Sequence, residues 1–128
     1  MILPFLTIAS SANRGRGVFA TESIDAHTTI EIAPVIVVDA KGREKLEQTL
    51  LYDYIFEWGT DSKMAAVALG YVSIYNHSNA PNCCYEMDFE HQTISIITLR
   101  TIEQGEELFI NYMCPEGPSN EPVWFEQK

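Results

Sequence analysis

The run Asn76-His77-Ser78-Asn79-Ala80-Pro81-Asn82 constrains this chain more than any other. Asn and Ser side chains compete with helical hydrogen bonding, and Pro81 has no N–H to give a sheet ladder. The run therefore suits neither a helix nor a central strand. It follows the apolar pair Ile74-Tyr75 directly, so the chain must stop there and present amide and backbone groups from a loop. One short hairpin later comes a second polar and aromatic segment, Gly105-Glu106-Glu107-Leu108-Phe109-Ile110-Asn111-Tyr112. A third, Gly15-Arg16-Gly17-Val18-Phe19-Ala20, lies near the N-terminus. Either of the first two, taken alone, is a decorated turn. All three together ask for a shared purpose.

Around them the chain is a series of short β-branched runs. Strands are expected over residues 7–9 and 16–20, the second after a glycine-bounded turn. Residues 28–38 carry eight β-branched residues interrupted by Pro34, which suggests two strands or one bent strand with the proline at an edge or bulge. Asp39 is placed to cap a helix over residues 41–51 with Leu46, Leu50 and Leu51 on one side. Residues 52–56 read as a strand, and 65–75 as a buried helical or irregular stretch. Residues 83–89 and 93–99 form a hairpin around Glu90-His91-Gln92, and Glu103-Gln104-Gly105 turns the chain into a last strand over 108–112. The tail holds Pro115, Gly117, Pro118 and Pro122, so it is irregular, and Val123-Trp124-Phe125 suggests that it folds back and packs. The fold class is mainly β: small curled sheets around one core, with little helix.

Composition narrows the function. A chain of 128 residues with 46% hydrophobic residues reads as one globular domain. No apolar run approaches the ~20 residues of a membrane helix, so no membrane association is expected. Met1-Ile2-Leu3-Pro4 lacks the basic region of a signal peptide. Three cysteines, two of them adjacent (Cys83 and Cys84) and one alone (Cys114), make no disulfide framework, which fits an intracellular protein, cytoplasmic or nuclear. A net charge of −10 disfavours direct nucleic-acid binding and attracts a basic peptide or a cationic cofactor.

The three motifs also carry a resemblance. Arg14-Gly15-Arg16-Gly17-Val18-Phe19-Ala20, Tyr75-Asn76-His77-Ser78 with Pro81-Asn82-Cys83, and Gly105-Glu106-Glu107-Leu108 with Tyr112 stand in the order and spacing of the SET domain. That is the family of lysine methyltransferases that use S-adenosylmethionine. The resemblance extends over nearly the whole chain, and its layout is most similar to the minimal, SET-only viral enzymes. It implies a β-clip of small sheets with a knot-like C-terminus, a single domain over residues 1–128, and a segment 113–128 that folds back to complete the cofactor and lysine-channel walls.

The resemblance further implies roles for residues. Arg14, Gly15, Arg16 and Gly17 would approach the cofactor. Asn76 would hold its amino group, and backbone groups of His77 its adenine. His77 then serves binding and architecture rather than general-base work. Tyr112 would be the catalytic tyrosine at the methyl-transfer pore, also bordering the cofactor, with Tyr54 and Tyr85 at the lysine channel and Trp124 beside the adenine. By residue type alone Tyr54 and Tyr85 are equally core or rim aromatics, Tyr112 a strand tyrosine with a buried ring, and Trp124 a tail aromatic packed for stability. A basic protein segment such as a histone tail is the implied substrate, and a homodimer, as in the viral enzymes, a candidate assembly. A non-catalytic SET-like module that binds a basic peptide or partner protein is the alternative, disfavoured by the presence of Tyr112 with Asn76 and His77.

The chain departs from the family pattern in three places. Asn79 stands where a zinc-binding cysteine often follows Asn-His-Ser, and Cys114 stands alone, so no metal is expected. Ile32-Ala33-Pro34 holds no counterpart of a tyrosine that many members carry. Asn111 replaces a common Asp or small residue before the catalytic tyrosine.

Overall fold

The β-branched runs do form strands, and their pairing gathers the three motifs. The computed structural model describes residues 1–12 and 14–117. Leu6–Ser11 (β1) and Gly15–Ala20 (β2) make an antiparallel hairpin, with Leu6 opposite Ala20 and Ser11 opposite Gly15. Gly15 has φ +74°, a left-handed conformation that an L side chain resists, so glycine is what lets β2 start there. Glu107–Ile110 (β9) adds to the free side of β2, and Asn76–His77 (β6) runs parallel beside β9. The sheet order β1-β2-β9-β6 makes the glycine turn, the Glu-rich strand and the Asn-His pair immediate neighbours.

The second sheet joins Thr29–Val38 (β3), Ile55–Trp58 (β4), Met64–Ala68 (β5), Cys83–Asp88 (β7) and Thr93–Thr98 (β8), in the order β4-β5-β3-β8-β7. Strand β3 is one strand with a register shift between Thr29 and Glu31. Pro34 lies where β3 changes partner. The pairing with β8 ends at Pro34–Thr93, and that with β5 begins at Val35–Ala68. A residue without an N–H is tolerated at such a hand-over. Ile30, Ile94 and Ile96 from this sheet and Val18, Leu108 and Ile110 from the other are fully buried in one shared core.

Several expected boundaries move. Asp39 does cap a helix, its carboxylate accepting the Gly42 N–H at 2.8 Å, but that helix (Ala40–Leu46, α1) is short and buries no residue. Thr49 ends the matter. Its hydroxyl accepts the Leu51 N–H at 3.1 Å and starts a separate 3-10 turn, Leu50–Asp53, leaving Leu50 80% exposed. The strand expected over 52–56 therefore begins only at Ile55. The stretch 65–75 opens as strand β5, not helix. Its alanines Ala65 and Ala66 are fully buried between β3 and β4, and alternation is hard to see in residues so small. A 3-10 turn, Val72–Ile74, then leads to Tyr75. The last strand stops at Ile110 rather than at residue 112. Asn111 Oδ1 takes the Met113 N–H at 3.0 Å, and His77 Nδ1 takes that of Tyr112 at 3.0 Å, so neither amide is left for a ladder.

Candidate active site

The first half of the site is built on the β1-β2-β9-β6 sheet. Asn76 Nδ2 donates to Arg16 O at 3.0 Å and to Glu107 Oε2 at 2.8 Å. Glu107 Oε1 accepts from Ser11 Oγ at 2.7 Å. A Cβ on Gly17 would overlap Glu107 Oε2 and come within 3.0 Å of Asn76 Nδ2, so the second glycine of the turn is a space left for this pair. The Arg14 guanidinium donates to the backbone carbonyl of His77 and lies over the Phe109 ring, 5.9 Å from its centre. The result is a wall rich in acceptors (Arg16 O, Asn76 Oδ1 and the Glu107 carboxylate), which suits a cationic amine.

The second half is a cavity of about 460 Å³ between the 3-10 turn at Leu50–Asp53 and the ends of β7 and β9. Tyr54, Tyr85 and Tyr112 line it together, with Asp53, Glu57 and Met113. Tyr112 OH donates to the Tyr75 carbonyl at 2.5 Å, and Tyr85 OH to the Tyr112 carbonyl at 2.9 Å. Tyr54 is 43% exposed at the rim. Burial pushes the Tyr112 hydroxyl well above the usual phenol range. Tyr54 adds to that, and the Arg14 charge works against it. Tyr85 is raised as well, chiefly by burial and then by Cys114. Both hydroxyls therefore keep their protons at neutral pH and act as oriented polar groups, not bases. His77 joins the halves: its ring packs edge-on to Tyr112, with centres 5.2 Å apart.

The sequence profile of the SET domain matches residues 15–113, most of the chain. This chain belongs to the SET-domain family. A Schizosaccharomyces pombe histone-lysine N-methyltransferase, named as specific for H3 lysine-37, is 37% identical over 124 residues, covering 96% of this chain and 78% of that protein. Human histone-lysine N-methyltransferase 2D is 35% identical over 82% of this chain, a stretch that makes up only 2% of that much longer protein. In three dimensions the SET domain here resembles a crystal structure from Plasmodium falciparum, provisionally named a histone methyltransferase. The TM-score is 0.67 at 24% identity, with 98% of this chain and 100% of that one covered, a likeness of fold.

With the SET fold in view, the departures acquire structural content. Asn79 has its own task. Its Oδ1 lies 3.0 Å from His77 Nε2, and because His77 Nδ1 already accepts from Tyr112, Nε2 must carry the proton and donate. Both ring nitrogens of this buried histidine are thus engaged in positioning. Among the described residues no cluster of His, Cys, Asp and Glu has the makings of a metal site. The Cys83 thiol is buried and pushed up to about 12, chiefly by loss of water, so it is not a thiolate at neutral pH. Asn111 is buried, and its Nδ2 has no hydrogen-bond partner among the described residues. Trp124 falls outside the described residues. Of the tail, Pro115 accepts the Tyr85 N–H at 3.0 Å.

Sequence reasoning missed two residues, Glu31 and Arg43. Glu31, fully buried on β3, accepts the Tyr75 hydroxyl at 2.9 Å and the Tyr71 N–H at 2.7 Å. One carboxylate so grips both ends of the 71–75 segment that delivers Tyr75 O to Tyr112 and Asn76 to the pocket. Gly70, at φ +67°, leaves the room, since a Cβ there would overlap Glu31 Oε2. The only signal in the sequence was a charge inside an apolar, β-branched run. Arg43 bridges Glu47 at 3.1 Å, Glu57 at 3.5 Å and Ser62 O at 2.6 Å, and so ties α1 to the cavity rim.

Proposed function

We propose that this SET domain methylates a lysine in a basic protein segment such as a histone tail, with S-adenosylmethionine as donor. The chain is a SET-type protein-lysine methyltransferase. The observation that carries the reading is Tyr112, which lines the tyrosine cavity with Tyr54 and Tyr85 while its N–H and ring meet His77, the neighbour of Asn76.

The residues present fit the cofactor. The acceptor wall at Asn76 suits an α-amino group, and Gly17 leaves the room that the Asn76–Glu107 pair occupies. Arg14, Gly15, Arg16, Gly17, Asn76 and His77 would hold it, with Tyr112 at the boundary; a role for Trp124 beside the adenine belongs to the same reading. When bound, S-adenosylmethionine supplies a methyl group on a positively charged sulfur.

The chain's own residues prepare the amine. A free lysine ammonium has a pKa of about 10.4, and leaving water for an enclosed channel disfavours its charge. Tyr112, its proton committed to the Tyr75 carbonyl, offers lone pairs to an amine N–H. Tyr85 steadies the Tyr112 backbone, and Tyr54 at the rim is free to meet the incoming side chain. Catalysis of this kind is positioning in a water-poor site, and the released proton can pass to solvent. The relative named for H3 lysine-37 supports a histone H3 substrate, and an intracellular, chromatin-associated setting goes with it. A homodimer is a further part of the proposal.

Incubation with radiolabelled cofactor and recombinant histone H3, followed by mapping of the labelled lysine, tests the reading. Label on a lysine supports it. No label on H3 or on any lysate protein, together with no measurable affinity for the cofactor at millimolar concentration, would leave a non-catalytic binding module.

A further inference from the structure

We infer that Glu107 is a positioning residue that fixes which end of the Asn76 amide faces the cofactor, so that the carbonyl end meets a cationic amino group. The inference rests on the cofactor site proposed above. The two ends of an amide are nearly the same size, and their neighbours choose between them. Both neighbours of Nδ2 are acceptors: Arg16 O at 3.0 Å and Glu107 Oε2 at 2.8 Å. A flipped amide would press its oxygen against two other oxygens. Oδ1 is therefore the end presented outward, and no described residue donates to it.

Glu107 is itself aimed. Ser11 Oγ holds Oε1 at 2.7 Å, and Gly17 leaves the space that Oε2 occupies. The two glycines of the turn thus do different things. Gly15 supplies a left-handed φ of +74°, with nothing within 4 Å of a Cβ placed there. Gly17 supplies room for the Asn76–Glu107 pair. Selectivity for the amino group is built by three residues, Ser11, Gly17 and Glu107, none of which need touch the ligand's reacting atoms.

The test is a ratio of affinities, measured by calorimetry, for S-adenosylhomocysteine and for its analogue lacking the α-amino group. The unaltered protein should prefer the amino ligand. In Glu107→Gln the new side chain can offer its own NH2 to Asn76 and permit the flip. The preference should fall roughly ten-fold, the size expected for one hydrogen bond to a charged group, while affinity for the deaminated analogue stays near its original value. Gly17→Ala should reproduce the loss, and the double variant should be no worse than either single one. Ser11→Ala is a milder change that should lower the same ratio in part, and it stands in if Glu107→Gln does not fold. An unchanged ratio in folded Glu107→Gln, or in Ser11→Ala if that is the folded variant, overturns the inference. Unchanged affinity for S-adenosylhomocysteine in Asn76→Ala overturns instead the site on which it rests.

Discussion

At the scale of single residues, Tyr112 combines three bonds that a sequence cannot display: its hydroxyl on Tyr75 O, its carbonyl under Tyr85 OH and its N–H on His77. Tyr112→Phe keeps the ring and the two backbone bonds, so the variant should fold and bind cofactor as before. Methyl transfer to an H3 peptide should fall by roughly 10²-fold or more, the loss typical of an oriented polar group. Single-turnover rates beside calorimetric affinities check this; near-full turnover would move the role to Tyr54. Tyr85→Phe removes the donor to the Tyr112 carbonyl. It should lower stability by about 1 kcal/mol, by urea titration, and slow turnover less than Tyr112→Phe does. His77 was legible as architectural only through the family resemblance. The pairing of its Nε2 with Asn79 was not, because the sequence marks Asn79 only as a cysteine that is missing.

At the scale of elements, the 71–75 segment is held from outside by Glu31 rather than by its own sequence. The N-terminal end of its 3-10 turn has no side-chain cap of its own, and Glu31 takes the Tyr71 N–H in place of one. Gly70→Ala would add strain at φ +67° and push on the carboxylate. It should destabilise the fold by more than about 1 kcal/mol and weaken cofactor binding as Asn76 shifts, both measurable on the purified variant. The Glu31 carboxyl is pushed above its ordinary value of 4.5, chiefly by burial, while the bonds from Tyr71 and Tyr75 pull it down. A raised carboxyl holds its proton longer in the folded state than in the unfolded chain. Its contribution is fully present below 4.5 and is lost as pH rises through the raised value. Glu31→Gln does not titrate, so the stability difference between it and the unaltered protein should move in the variant's favour as pH climbs through that window. Urea denaturation at a series of pH values checks the slope. A flat difference would show a carboxyl that titrates as it does unfolded.

At the scale of the molecule, a net charge of −10 surrounds a cavity whose lining includes Glu47, Asp53 and Glu57. Long-range attraction of a basic peptide to such a surface is screened over roughly 10 Å at 0.1 M salt. Raising ionic strength should therefore raise KM for a basic H3 peptide several-fold while kcat changes little. A KM indifferent to salt would assign peptide recognition to short-range contacts alone. Two sheets with one core explain how so short a chain forms a two-sided site: the first sheet carries the acceptor wall, the second the channel, and His77 against Tyr112 is the seam.

The sequence by itself determined the strands whose β-branched residues alternate, the Asp39 cap, the 83–99 hairpin, and the order of three motifs that mark a SET domain. Those are local or pattern properties, set by what each side chain does to its own backbone. Only the tertiary structure decided that the alanine stretch is a strand and that Tyr112 lies beyond the last ladder bond. It also decided that Glu31 governs a segment forty residues away and that Gly17 makes room for Glu107. In each case the deciding partner is distant along the chain: these bonds and overlaps exist only once β2, β3, β5, β6 and β9 have been brought into their sheets. A buried polar group must find a partner somewhere, but which partner it finds is a property of packing, not of its neighbours in sequence.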